Sequence, residues 1–284
     1  MKKSKLTLFA VLLVVIGLVI AAVGLWAVDF NFTKLSLGRL TANTYTIEED
    51  FSKICIDTDA NDVIVVPTDD GSCRVVCMEE VSYYHTVSVE NRTLTVAVQD
   101  ERQWYEHIGI YSGDFHSVTV YVPKKAYEDL TVTCDTADVD VQSGFSFGMA
   151  DIQTSTGEIR WKGSAVNDLF LSASTGEIRV DNTGCQNLTA KTSTGDIRLT
   201  STVITQKLFA KTSTGDIQFD GLDAKTMDIH TDTGDVEGTL LSNKFIITDS
   251  NGRVLLPTAS DGPMGDDICT ITTDTGDIRI DLAD

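Results

Sequence analysis

Apolar and polar residues alternate along most of this chain with a period of two. In Leu188-Thr189-Ala190-Lys191-Thr192 the first, third and fifth side chains share a face, and Thr189 and Lys191 point the other way. After Ser193-Thr194-Gly195-Asp196 comes Ile197-Arg198-Leu199, with two aliphatics on one side and a guanidinium on the other. This is the pattern of half-buried β-strands. It recurs as a unit: Thr156-Gly157-Glu158-Ile159, Thr175-Gly176-Glu177-Ile178, Thr194-Gly195-Asp196-Ile197, Thr214-Gly215-Asp216-Ile217, Thr233-Gly234-Asp235-Val236 and Thr275-Gly276-Asp277-Ile278, with Asn251-Gly252-Arg253-Val254 as a degenerate member. The glycines are spaced by 19, 19, 20, 19, 18 and 24 residues, and the long last interval holds Thr258–Gly265, which reads as an inserted loop. Gly157, Gly176, Gly195, Gly215, Gly234 and Gly276 are expected at turns that demand positive φ.

One such unit cannot bury its own apolar face, whereas stacked units bury a continuous row. Hairpins side by side would satisfy the same alternation, but near-identical side chains at fixed intervals favour in-register stacking. The expected fold is therefore all-β, a β-solenoid of about 19-residue coils, seven coils at strand spacing giving a rod roughly 34 Å long. The chain before it is also strand-forming. Asp57–Val65 looks like a diverged coil with Asn61 standing in for glycine at the left-handed position. Thr86–Val89 and Thr93–Val98 flank a hairpin turn, Val118–Val122 stops at Pro123, and repeat register begins near residue 130. Terminal units must cap a stack, so residues 45–129 are read as a cap and 130–284 as the solenoid.

The first thirty residues differ in kind. Leu6–Val28 is 23 residues without a charge, about 34 Å as a helix and long enough to span a bilayer. Lys2, Lys3 and Lys5 precede it and Asp29 follows. The positive-inside rule then makes 1–5 a cytoplasmic stub, 6–28 a transmembrane helix and 29–44 a linker to an extracytoplasmic domain. A cleaved signal peptide ending near Ala22-Val23-Gly24 is the rival reading, but its apolar region would be unusually long.

Charge and cysteine content narrow the function. The chain has 22 basic and 42 acidic residues, a net charge of −20. Such a deficit argues against nucleic acid as a partner. Six cysteines (Cys55, Cys73, Cys77, Cys134, Cys185 and Cys269) permit disulfides outside the cell. Cys73 and Cys77 cannot pair along one strand, since four steps separate them by roughly 13 Å.

Two groups of residues suggest chemistry. The acids after the repeat glycines, Glu158, Glu177, Asp196, Asp216, Asp235 and Asp277, would stack at strand spacing. Such a ladder invites a hard cation such as Ca²⁺, or else each acid caps its turn through a backbone N–H. Arg160, Arg179, Arg198 and Arg279 recur two places on and are placed to pair with the acids diagonally. The second group lies in a glycine-containing loop, Trp104, Tyr105, His107, Tyr111, Phe115 and His116, suited to carbohydrate or protein contacts. There is no Gly-x-Ser-x-Gly, His-Glu-x-x-His or phosphate loop. The acids are spread evenly rather than focused, so catalysis is not expected, and no cofactor is called for.

An N-terminal apolar helix, a strand-rich lead-in ending in Tyr121-Val122-Pro123 and serial Ser-Thr-Gly-Asp-Ile units together resemble the DUF4097 family of adhesin-like β-strand-repeat proteins, including LiaG-like and YvlB-like members of Gram-positive bacteria. The resemblance covers residues 45–284 and carries over no catalytic residues. It implies a membrane-anchored protein with a binding, adhesion or scaffolding role at the cell envelope, its partner a cell-wall polymer or a neighbouring membrane protein. A glycan-cleaving enzyme on a β-helix scaffold, or a regulatory accessory of an envelope-stress system, are the competing implications.

Overall fold

A computed structural model describes residues 12–20, 22–23, 40–103, 117–241, 245–257 and 268–283. Two compact units result, Met1–Leu40 with Glu101–Asp114, and Thr41–Asp100 with Phe115–Asp284. In the first, residues 12–20 and 22–23 are helical, with large exposed aliphatics such as Leu12, Leu18 and Ile20. Among the described residues no helix is long and apolar enough to cross a membrane, and the expected span 6–28 lies partly outside them.

The second unit is all-β. Each repeat contributes one long and one short strand, and successive repeats pair in parallel on both faces. On the long-strand face Ala126–Thr136, Ser146–Thr156, Ser164–Thr175, Gly184–Thr194 and Val203–Thr214 lie side by side. On the short-strand face Val139–Val141, Ile159–Trp161, Ile178–Asp181 and Ile197–Thr200 do the same. The strand Ile217–Thr233 serves both faces, its first residues pairing with Ile197–Thr200 and its last with Val203–Thr214. This is the solenoid expected from the repeat, because a strict register sets like residue on like: Ile159, Ile178, Ile197 and Ile217 form one row, each wholly buried. Burial of one such side chain contributes about 1.5–3 kcal/mol, and no single coil could supply the partner surface. Beyond Ile159 the row continues as the buried valines Val139, Val63 and Val118, and a cluster of rings packs elsewhere in the interior: Tyr127 stacks on Phe51 and on Phe147, which leans on Trp161 at 5.8 Å.

Coil geometry reaches further back than residue 130. Lys53–Thr58 stacks on Ala126–Thr136 with Ile54 against Leu130, and Asp62–Thr68 stacks on Val139–Val141 with Val63 against Val139. Asn61 does not take the left-handed conformation; among the described residues the non-glycine positions with positive φ are Asn91, Arg92, Asn182 and Ser201. Asn61 is instead buried, its side-chain oxygen accepting the Tyr83 hydroxyl at 2.6 Å. Asn91 and Arg92, both at positive φ, close the hairpin between Tyr83–Glu90 and Thr93–Asp100.

Chain order and spatial order part at both ends. The last coil, Ile268–Thr275 and Ile278–Leu282, is inserted between the Gly234 coil and the degenerate one. Its strands pair with Ile217–Thr233 and Val236–Leu240 on one side, and with Phe245–Ser250 and Val254–Leu255 on the other. At the other end the Lys53–Thr68 coil sits between residues 126–141 and the strands Thr93–Asp100 and Ser117–Pro123. The coil with strong alternation takes the two-sided place: Ile271, Ile278 and Ile280 are buried, while Val254 and Leu255 of the degenerate coil are exposed at the end. The outer strands of the cap pair antiparallel. Cys73–Glu79 runs against Ser117–Pro123, and Thr41–Ile47 against Cys73–Glu79.

Candidate functional site

The repeated corner explains its own sequence. Gly157, Gly176, Gly195, Gly215, Gly234 and Gly276 have φ between 146° and 157°. A Cβ on Gly195 would lie 2.1 Å from the carbonyl oxygen of Gly176, and one on Gly176 would lie 1.9 Å from that of Gly157. That same carbonyl accepts the hydroxyl of a buried threonine in the next coil: Thr192 bonds Gly176 at 3.1 Å, Thr212 bonds Gly195 at 2.9 Å and Thr231 bonds Gly215 at 3.0 Å. Glycine is required by close approach as much as by its dihedral.

The acid that follows is used within the stack. Asp196 Oδ1 accepts the backbone N–H of Asp216 at 2.9 Å, Asp216 that of Asp235 at 2.9 Å and Asp235 that of Asp277 at 2.8 Å. Asp62 and Asp138 extend this ladder into the lead-in, accepting from Asp138 and Glu158. Glu158 and Glu177 are a methylene longer and meet arginine instead. Arg179 lies between Glu158 at 3.2 Å and Glu177 at 2.8 Å; Arg198 lies between Glu177 at 3.2 Å and Asp196 at 3.3 Å. Arg160 pairs with Glu158 and Asp138. The hydrogen bond that Arg160 donates to Glu158 holds its guanidinium pKa up, as the one donated to Glu177 does for Arg179. From Asp138 to Asp196 acids and guanidiniums alternate, so like charges at strand spacing are offset there by their neighbours. The six acids proposed as a cation stripe are therefore all in one row, with their oxygens directed at N–H groups and arginines.

The row of arginines breaks once. Register places Gln218 beside Arg198, then Glu237, then Arg279. Arg279 pairs with Glu237 at 3.0 Å. Where Gln218 and Glu237 replace arginine the surface opens into a recess of about 430 Å³, bordered by Arg198, Thr200, Gln218, Asp220, Glu237, Thr239, Arg279 and Asp281. Its floor is shaped by Gly238, where a Cβ would come within 2.3 Å of the Phe219 ring. Thr239 is tied down, accepting from the Gly221 N–H at 2.9 Å and donating to Asp220 at 2.8 Å. The recess thus offers two guanidiniums, three carboxylates, an amide and hydroxyls, with rigid strands behind them. Such a set suits a polyhydroxylated ligand, which needs donors and acceptors together. Arg198 and Arg279 were visible in the sequence; the recess was not, although the interruption of the arginine series at Gln218 and Glu237 marks it. Trp104, Tyr105, His107, Tyr111, Phe115 and His116 lie outside the described residues.

An all-β solenoid with polar ladders on its surface and a buried aliphatic interior defines a β-repeat protein. The chain belongs to the Toastrack DUF4097 family, whose profile matches residues 51–284. A crystal structure from Parabacteroides distasonis, provisionally named a lipid-binding protein, is similar with a TM-score of 0.53 at 12% identity, over 86% of this chain and 98% of that one. Another from Bacteroides fragilis, provisionally named an adhesin, has a TM-score of 0.43 at 14% identity, over 86% and 97% of the two chains. At these identities the likeness concerns the fold alone. No curated protein matches the sequence.

Proposed function

We propose that this chain is a non-catalytic binding protein of the bacterial cell envelope, anchored by the apolar segment 6–28, which grips a neutral or zwitterionic glycan polymer along its short-strand face. The recess at the break in the arginine row carries this reading. A polymer presents the same groups at regular intervals, and so does a face built of in-register rungs. The acidic excess of the chain repels polyanions, which points away from polyphosphate wall polymers. A glycan-cleaving role is disfavoured by the acids themselves, each held by a neighbouring N–H or guanidinium rather than gathered in pairs.

The test uses full-length protein with insoluble wall glycan stripped of anionic polymers. Retention on the pellet is expected, with at least a roughly tenfold loss in the folded Arg198→Ala/Arg279→Ala double variant, each lost charged hydrogen bond contributing about 1.5–3 kcal/mol. Equal retention of the double variant contradicts the recess. Release of soluble sugar, abolished by Asp196→Asn/Asp216→Asn/Asp235→Asn in a folded protein, would establish the enzyme instead.

A further inference from the structure

Far from the recess, among the antiparallel outer strands of the cap, lies a polar centre between the two faces. Cys77 and Glu79 are two residues apart on the inward side of Cys73–Glu79. His85 is on the inward side of Tyr83–Glu90, reached through a turn bridged by Glu80 and Tyr83. All three are essentially buried, at 0%, 2% and 2% exposure. Their ligand atoms, a thiol sulfur, a carboxylate oxygen and an imidazole nitrogen, lie within 4.8 Å of one another. The imidazole Nδ1 is 3.0 Å from Glu79 Oε1. The other carboxylate oxygen is held from behind by the Asn43 amide and by the Tyr45 hydroxyl at 3.1 Å. The backbone N–H of His85 also donates to Oε1 at 2.7 Å.

We infer that Cys77, Glu79 and His85 form a binding site for a divalent transition metal of the zinc type. Three arguments converge on this. The donor set of one sulfur, one nitrogen and one oxygen is that of borderline-soft ions, and hard ions such as Ca²⁺ would be excluded by sulfur and nitrogen. Ligand atoms around tetrahedral zinc are roughly 3.2–3.7 Å apart, so side-chain adjustments of about 1 Å complete the site. The charges close as well: a divalent ion with one thiolate, one carboxylate and one neutral imidazole is electrically neutral, which is what a buried centre requires. The thiol proton leaves to solvent when the metal binds. Asn43 and Tyr45 supply the outer contacts that orient the carboxylate. The three ligands come from two strands in different sheets, so the ion would tie the two faces of the cap together at the end of the stack.

The experiment uses the full-length chain, stripped with a chelator and dialysed against Zn²⁺. One equivalent of zinc is expected by elemental analysis. The melting temperature should rise by about 5–10 °C at a metal concentration about 100 times Kd. Co²⁺ in place of zinc should give a near-ultraviolet thiolate-to-metal charge-transfer band, and bound zinc should slow alkylation of Cys77 as mapped by mass spectrometry. Cys77→Ser and His85→Gln should lose the band, the equivalent of zinc and the thermal shift. Zinc binding that survives unchanged in both variants would assign it to other histidines and overturn the site. The wild-type protein decides the matter even where a variant fails to fold: absence of the thiolate band with Co²⁺, or alkylation of Cys77 unaffected by zinc, refutes it.

Discussion

Each coil turns two corners, and the two obey different rules. At the first, glycine recurs in coil after coil because its missing Cβ lets the next coil approach a carbonyl to about 2 Å from where that carbon would be. At the second, Asn182, Ser201 and Gly221 succeed one another with φ of 50°, 48° and 64°. A Cβ at Gly221 would meet nothing nearer than 3.7 Å. Both corners take positive φ through these coils, yet only the first keeps one residue type, glycine, at Gly157, Gly176, Gly195, Gly215, Gly234 and Gly276. Contact between coils, more than the dihedral angle, imprints the visible repeat.

Substitution at the two corners should separate these causes. Gly195→Ala combines a disfavoured conformation with a backbone clash and is expected to cost roughly 3–5 kcal/mol. Gly221→Ala meets only the conformational penalty, about 1–2 kcal/mol, and Gly221→Asn less. Urea denaturation measures both, and equal losses would show that φ alone rules. Removing inward volume just after the first corner, Ile197→Ala, should cost about 2–5 kcal/mol as a cavity opens in the aliphatic row. Thr212→Val leaves the Gly195 carbonyl without its hydroxyl partner and should cost about 1 kcal/mol. Arg179→Ala, on a half-exposed ladder, should cost less than about 1 kcal/mol, a loss that shrinks in high salt.

An alkaline effect, absent at neutral pH, comes from the strand that leaves the second corner. Burial pushes the Cys185 thiol from 9.0 up to about 12. The unfolded chain releases this proton from about pH 9 while the folded chain keeps it, so stability falls as pH rises from about 9 to 12. Cys185→Ala should flatten that alkaline slope in thermal melts. Burial raises Cys73 and Cys77 to about 12 in the same way.

Alternation and the repeat were enough to read the solenoid, the inward row of Ile178, Ile197 and Ile217, and the pairing of Arg179 and Arg198 with the acids. Local spacing carries that information, because parallel in-register stacking copies sequence period into space. The second corner escaped notice since asparagine, serine and glycine share a backbone conformation and not a side chain. The tucked-in last coil was equally hidden: in sequence it follows the degenerate unit, and only competition for the two-sided position reverses them. Asn61 read as a glycine substitute, but a buried hydrogen bond to Tyr83 outweighed its turn preference. Cys77, Glu79 and His85 sit at alternate positions of two strands, and nothing local indicates that opposite faces bring them together.

In-register stacking with the last coil inserted underlies both corners, the ladders and the recess. Paired cysteines test it most directly. Glu237 and Arg279 are register neighbours, and Leu255 lies one rung beyond Arg279. Neighbouring rungs are about 4.8 Å apart, within disulfide range, and alternate rungs roughly 10 Å apart, beyond it. On mild oxidation Glu237→Cys/Arg279→Cys should form an intramolecular disulfide, and Glu237→Cys/Leu255→Cys should not. A disulfide in the second protein and none in the first would mean that the coils stack in chain order.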